Sequence, residues 1–375
     1  PNPYHNVSLT IDNKTFDAKI RLKGDFTDHI SDPKKWSYKV KIKNGDKVFN
    51  MAEFAIQRPE TRNGFGEWVF HKMLGYNDIL HVYYDFVYVN QNKEDLGLYA
   101  IEGRFNDDFF EYHNIEKQPI LRLNDNLFFN AKRHFGVVKN KVEDQDYSAY
   151  SAVIDAYDTD EIIENGALKK NLEKATSMLE DFRTGKLKVS EVFDIDKLAK
   201  FYAIADLFSS YHATQFPNLR FYYNNNSGKL EPIGFDANGL EPVSSLFAEE
   251  KSYLYGNDQR FSNRRYEHRI NWLLDDEEFV LKYHNYLQMV SSDQFLKSMR
   301  DSINSDFNDR QLIAQSLGFN WDVLTENQRV IKYKLFPIKG LHTYINNTTS
   351  NRLRLNILNP QYLPVDIISV RTKDN

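Results

Sequence analysis

The chain has 375 residues, more than one ordinary core accommodates, so two lobes or two domains are expected. Hydrophobic residues make up 41% and charged residues 27%, which excludes a disordered chain, and a net charge of −5 leaves no electrostatic footprint for general nucleic-acid binding. The absence of cysteine excludes disulfides, thiolate zinc sites and a cysteine nucleophile, without assigning a compartment. No apolar run reaches the length of a membrane span. The first residue is Pro1 rather than Met, so a trimmed or mature fragment is expected.

Residues 1–57 read as strands. Phe16, Ala18, Ile20 and Leu22 alternate with Asp17, Lys19, Arg21 and Lys23. Trp36, Tyr38, Val40 and Ile42 alternate with Ser37, Lys39, Lys41 and Lys43. Period two predicts a sheet with one buried face and one polar, basic face. Residues 62–75 switch to helical spacing, with Phe65, Trp68, Val69 and Met73 on one side. Two strands follow, His81–Asn90 and Leu96–Glu102, around a polar turn. Beyond about residue 105 helices are predicted at 106–114, 148–157, 166–183 and 194–212. A hairpin at 219–235 interrupts them, and 237–263 reads as irregular. Helices are predicted again at 266–288, 292–317 and 323–347, and a strand at Leu363–Val370. The expected class is α+β, with a small β-rich unit carrying one helix and a larger helical unit. The divisions are 1–104, 105–350 and a C-terminal extension, 351–375, with a cleft between the first two.

The chemistry concentrates at 198–239. Leu198, Phe201, Ala205 and Phe208 mark a buried helix face running towards His212. Two β-runs then flank Asn224-Asn225-Asn226-Ser227-Gly228-Lys229, a hairpin turn. Hairpin geometry brings Asn218, just before the first strand, beside Asp236, just after the second. An amide oxygen and a carboxylate so placed are hard ligands suited to Mg²⁺. The competing reading takes Asn218 as a turn residue and Asp236 as a loop carboxylate.

Several segments resemble the CotH kinase family of atypical kinases. They are Arg21-Leu22-Lys23-Gly24, Lys35-Trp36-Ser37-Tyr38-Lys39-Val40-Lys41, Pro59-Glu60-Thr61-Arg62, Leu96 to Glu102, and Asn218 through Asp236. The resemblance runs from about Ile20 to Asp236. It implies a protein-kinase-like two-lobed fold, ATP as phosphoryl donor, Mg²⁺ as cofactor, and a secreted or surface protein or glycan as acceptor. Asn218 and Asp236 match the metal-binding pair. Lys39 matches the strand lysine that contacts nucleotide phosphates, with Lys41 on the same face as the alternative. A solvated strand face is the competing reading for both. Glu67 would pair with that lysine or stand as an exposed helix carboxylate. Arg62 would contact phosphate, and Glu102 would lie at the hinge near the adenine end or simply end a strand. The chain departs from the pattern at one position. Kinases carry a catalytic Asp five residues before the metal-binding Asn, and here that position is Ala213. His212 is adjacent and has a suitable pKa for a general base, or it caps a helix end. Asp206 lies further back on the same helix.

Three functions follow: a kinase using His212 or a water, a nucleotide-binding pseudokinase in a surface or exopolysaccharide assembly, and an AMP transferase. A carbohydrate-binding protein without nucleotide is a further class, compatible with 23 Tyr and 27 Phe. Arg260, Arg264, Arg265 and Arg269 form a group able to receive an acidic or phosphorylated acceptor, or a solvated helix start. An extracytoplasmic location is expected from the resemblance. The acceptor's identity is open.

Overall fold

The computed structural model describes residues 2–24, 29–124, 126, 152–251, 271–336, 340–349, 352–360 and 363–369. The arginine group at 260–269 lies outside them. The class is α+β, as the alternating and helical patterns predict.

The first sheet runs β1 (His5–Ile11), β2 (Lys14–Leu22), β3 (Tyr38–Ile42), β4 (Glu53–Gln57), β7 (Glu94–Gly103), β6 (Tyr84–Gln91), six antiparallel strands. The alternation read from sequence holds: Phe16, Ala18, Val40 and Ile42 are buried together with Phe54 and Ile101 inside its curl. Between β4 and β6 the chain makes a 3-10 turn (Pro59–Arg62) and the helix α1 (Gly66–Tyr76). Asn63 and Gly64, both at positive φ, separate the two.

The strand expected from residue 81 is two elements in different sheets. β5 (Leu80–His81) leaves the first sheet and pairs in parallel with β11 (Lys229–Gly234), Leu80 opposite Ile233 and His81 opposite Gly234. The second sheet runs β5–β11–β10–β8–β9, with β8 at Ile120–Asn124, β9 at Val153–Ala156 and β10 at Arg220–Asn224. Gly234 must be glycine, because a Cβ there would sit 1.9 Å from Leu74 Cδ1 of α1. The hairpin β10–β11 is thereby pressed onto α1.

Helices follow as expected at α2 (Asp107–His113) and, after the short α3 (Thr159–Glu164), at α4 (Gly166–Arg183), capped by Asn165. Further expectations change. Residues 153–156 form β9, paired with β8, rather than a helix, since Val153 to Ala156 completes a sheet edge. The stretch 292–317 breaks into α8 (Asp293–Ser302), α9 (Asn304–Asp309) and α10 (Gln311–Ser316). These follow the short α5 (Val189–Val192), α6 (Ile195–Leu207) and α7 (Glu277–Val290). The helix expected over 323–347 is α11 (Asp322–Leu335), and His342–Thr349 instead pairs with Arg352–Leu358 as an exposed hairpin, β12–β13. Residues 363–369 form no strand.

α6 is the hub of the main core. Leu198, Phe201, Ala203, Ile204, Leu207 and Phe208 are all at most 1% exposed, so truncating Leu198 or Leu207 would cost about 2–5 kcal/mol. The helix stops at Leu207, short of the predicted 212. Ser209 takes left-handed φ (53°), Ser209 N–H bonds Asp206 O at 2.9 Å, and Ser210 N–H bonds Ala205 O at 2.7 Å. That is a Schellman ending built without glycine, so no sequence signal marks it. The chain then forms a separate 3-10 turn, Tyr211–Thr214.

Candidate active site

Eight side chains from seven separate segments converge beneath the first sheet. β10–β11 presents Asn218 and Asp236 at its two open ends, as hairpin geometry requires. Both bear on His212: its Nδ1 lies 3.0 Å from Asp236 Oδ1 and 3.1 Å from Asn218 Nδ2. The Asn218 amide donates to His212 O at 2.9 Å, leaving the Nδ1 proton for Asp236. Asp236 Oδ1 also has Arg62 Nε at 2.9 Å. Arg62 faces Glu102 at 3.9 Å, and Glu102 is ion-paired with Lys23, which donates to Gln57 Oε1 at 2.8 Å. Glu67 receives the backbone N–H groups of Ala237 at 3.0 Å and Asn238 at 2.9 Å.

The cluster is buried. Glu67 and Glu102 are fully enclosed, and Lys23, Arg62, Asn218 and Asp236 are each under a tenth exposed. Its electrostatics follow from three carboxylates set against Arg62, Lys23 and His212. Burial alone would raise the Asp236 pKa, but Arg62, His212 and Lys23 outweigh it and hold the carboxyl well below the usual range. Burial alone would lower that of His212, but its hydrogen bond and ion pair with Asp236 reverse this and raise it. Burial pushes Lys23 down to about 8, against the pull of Glu102. Glu102 stays below its ordinary value despite burial because Lys23 and Arg62 are beside it. At neutral pH the Lys23–Glu102 pair is therefore ionised.

The backbone around Asp236 is held under strain. Asp236, Asn238 and Leu240 all have positive φ, 54°, 44° and 75°. Glu67 grips this segment from α1, Asn63 Nδ2 donates to Gly239 O, and Leu240 N–H bonds Phe208 O at 2.6 Å. Gly239 cannot carry a side chain, since a Cβ would lie 2.0 Å from Ser210 Oγ. Asp236 thus sits in a segment fixed from both sides.

The residues present fit a hard cation with nucleotide phosphates. Among the described residues, Asn218 Oδ1 and Asp236 Oδ2 make no hydrogen bond, while Asn218 Nδ2 and Asp236 Oδ1 are both engaged. These two oxygens are the atoms a Mg²⁺ ion would need. Among the described residues no group of three or more His, Asp or Glu could hold a metal alone, so further ligands would come from phosphate or water. Among the described residues, buried Glu102 Oε1, Gln57 Nε2 and Tyr84 Oη lack hydrogen-bond partners, the mark of a site able to take up polar groups.

Of the residues singled out in the sequence, the structure brings Asn218, Asp236, His212, Arg62, Glu67 and Glu102 together. Lys39 and Lys41 stay outside the cluster. Lys39 pairs in register with Ala55 and Ala55 with Glu102, so Lys39 shares the cluster's face with one strand between. Lys41 is ion-paired with Glu53 on the exposed part of that face. Glu67 binds the Asp236 loop rather than a strand lysine, and it is neither free nor exposed. His212 belongs to the 3-10 turn and not to the helix end. Asp206 accepts from Phe247 N–H at 3.0 Å and from the Tyr283 hydroxyl, so it serves the helical core. Ala213 is buried, 1% exposed. The residue missed is Lys23. It follows the basic face of β2 and stands in the segment Arg21-Leu22-Lys23-Gly24 that carries the resemblance, yet the sequence assigns it no role; Gly24 beside it has φ 109°.

No curated protein matches the chain. A family profile described as CotH kinase protein matches residues 20–306, well over half the chain and including every residue of the cluster. The chain belongs to the CotH kinase family.

Proposed function

We propose that the chain binds a Mg-nucleotide and acts as a kinase-type phosphotransferase. In this reading the first sheet with α1, and the helical region, are the two lobes of a kinase-like fold, and ATP lies between them. The observation that carries it is the pair of unengaged oxygens, Asn218 Oδ1 and Asp236 Oδ2, beside one histidine. They would hold Mg²⁺, which when bound neutralises phosphate charge. Lys23 and Arg62 bring two buried positive charges to the same place and would bind phosphate oxygens. Lys23 takes precedence over Lys39 because it is inside the cluster. Glu67 positions Asp236 through two backbone amides. The acceptor would be a protein or glycan outside the cytoplasm, as the family resemblance implies.

His212 has Nδ1 committed to Asp236, so Nε2 is the nitrogen left to accept a proton or orient an acceptor. Mg-ATP should raise the melting temperature of the protein, and Asp236→Ala should abolish that rise. A persisting rise in the variant overturns the metal assignment. His212→Ala should lower turnover with little change in nucleotide affinity.

A second reading rests on Ala213. A buried methyl stands where a kinase base is expected, which favours a pseudokinase or an AMP transferase. Transfer from γ-labelled ATP supports the kinase, transfer from α-labelled ATP the AMP transferase, and tight binding without either the pseudokinase.

A further inference from the structure

β6 and β7 separate the charged cluster from a second cavity. Tyr84 and Glu102, paired in register, belong to the cluster. Their chain neighbours Tyr83 and Gly103 line a cavity of about 400 Å³ on the other side, within the range of small-ligand sites.

Its lining is aromatic, with Phe49, Tyr83, Phe109 and Tyr112. Tyr112 is 47% exposed, yet its ring is braced edge-on by Tyr83 at 5.8 Å and by His81 at 5.7 Å. A large ring is thus held rigid and half open to solvent. Phe49 is 43% exposed at the tip of a two-residue turn closed by Val48 and Met51, whose backbones bond each other at 2.9 Å. Phe49 and Asn50 have φ of 52° and 61°. Such turns call for Asn or Gly, and a bulky residue there is strained. Strain that persists at an exposed ring over a cavity points to a ligand clamp.

One charged side chain selects the ligand's polar end. The two acidic side chains of the lining, Asp108 and Glu111, are both paired with Lys47, at 2.9 and 2.6 Å. Arg104 also lines the cavity, half-buried, and among the described residues it makes no hydrogen bond or ion pair. Lys47 and Arg104 together balance the two carboxylates, and Arg104 is the charged group of the lining that makes no such pair; its planar fork suits a carboxylate.

We infer that this cavity binds an acidic sugar unit, a uronate whose C–H face stacks on the exposed rings and whose carboxylate pairs with Arg104. It is a glycan anchor behind the nucleotide cleft and stands independently of the nucleotide reading. Isothermal titration of the full chain with glucuronate, glucose and adenosine tests it. Glucuronate should bind, and glucose at least tenfold more weakly. Phe49→Gly relieves the left-handed strain, so the fold is kept, and it should weaken glucuronate at least tenfold. Arg104→Gln should erase the preference for glucuronate over glucose. Asp236→Ala should leave glucuronate affinity unchanged. The inference is overturned if folded wild-type protein gives no heat with glucuronate, or if Phe49→Gly or Arg104→Gln leaves its binding unaltered. Loss in Asp236→Ala would place the sugar in the cleft, and adenosine binding abolished by Phe49→Gly would make this a nucleobase pocket; either overturns it.

Discussion

Two regions that bury polar groups, one in the helical part and one around Asp236, differ in one respect. Within the helical region Asn327 donates to Leu207 O and Glu241 O, both at 2.8 Å, and accepts from Val243 N–H at 2.9 Å. Gln328 donates to Val290 O and Ser292 O at 2.7 Å, and Asp206 is held by Phe247 and Tyr283. That network bonds its polar groups to the chain itself and pins loops to helices. The cluster around Asp236 is as deeply buried, yet among the described residues Glu102 Oε1 and Gln57 Nε2 lack hydrogen-bond partners, and Asp236 sits at positive φ. A satisfied network rigidifies a core, whereas an incomplete one costs stability and persists where another molecule completes it. The first region is structural, and the second is the one on which the proposed function rests.

The comparison breaks most visibly at Asn327. Asn327→Ala leaves two carbonyls and one amide unpaired, so a loss of about 3–5 kcal/mol is expected from denaturant midpoints. The folded variant should still respond to Mg-ATP, and a lost response would join the two regions. At Lys23 the expected effect falls on binding: Lys23→Met should weaken Mg-ATP about tenfold to hundredfold by calorimetry, the worth of one charged hydrogen bond. Lys39→Ala should change it less than about threefold by the same measurement, because Lys39 lies one strand away from Glu102, across Ala55. Equal losses at the two lysines would put the phosphate contact on β3. The smallest effect concerns pH. His212 has a raised pKa in the folded state, so its stabilisation is complete below about pH 6.5 and fades as pH rises through the folded value. Since a third of the side chain is exposed, a few tenths to about 1 kcal/mol is expected. Melting temperatures of wild type and His212→Gln should converge from about pH 6 to about pH 8.5. Parallel curves would remove the His212–Asp236 pair from the stability of the site.

Much of this was legible in the sequence for a physical reason. Period-two patterns at 15–23 and 36–43 are enforced by a buried face, and the Asn/Ser/Gly turn fixes the hairpin that joins Asn218 to Asp236. What escaped depended on distant partners. Lys23 is buried because Glu102, 79 residues away, lies across the sheet, and nothing beside it in the chain says so. Glu67 is enclosed because the Asp236 loop returns to α1. His212 moved from a helix to a 3-10 turn because Ser209 adopts a conformation usually signalled by glycine. Residues 153–156 and 342–349 became strands through pairing that local propensity does not encode.

The two-residue strand β5 has a consequence for assembly of the chain. It comes from residues before the second sheet's other strands, yet it supplies that sheet's edge beside Asp236, and β8 likewise lies between β10 and β9. A chain cut between Asn124 and Ala152 would therefore yield two pieces that each lack part of one sheet. Neither piece would be expected to hold the Asp236 hairpin in place alone, whereas mixing them would restore it by strand complementation. Two pieces of this kind complete the second sheet only as a pair, which makes the cut a natural position for a split reporter of the chain's assembly.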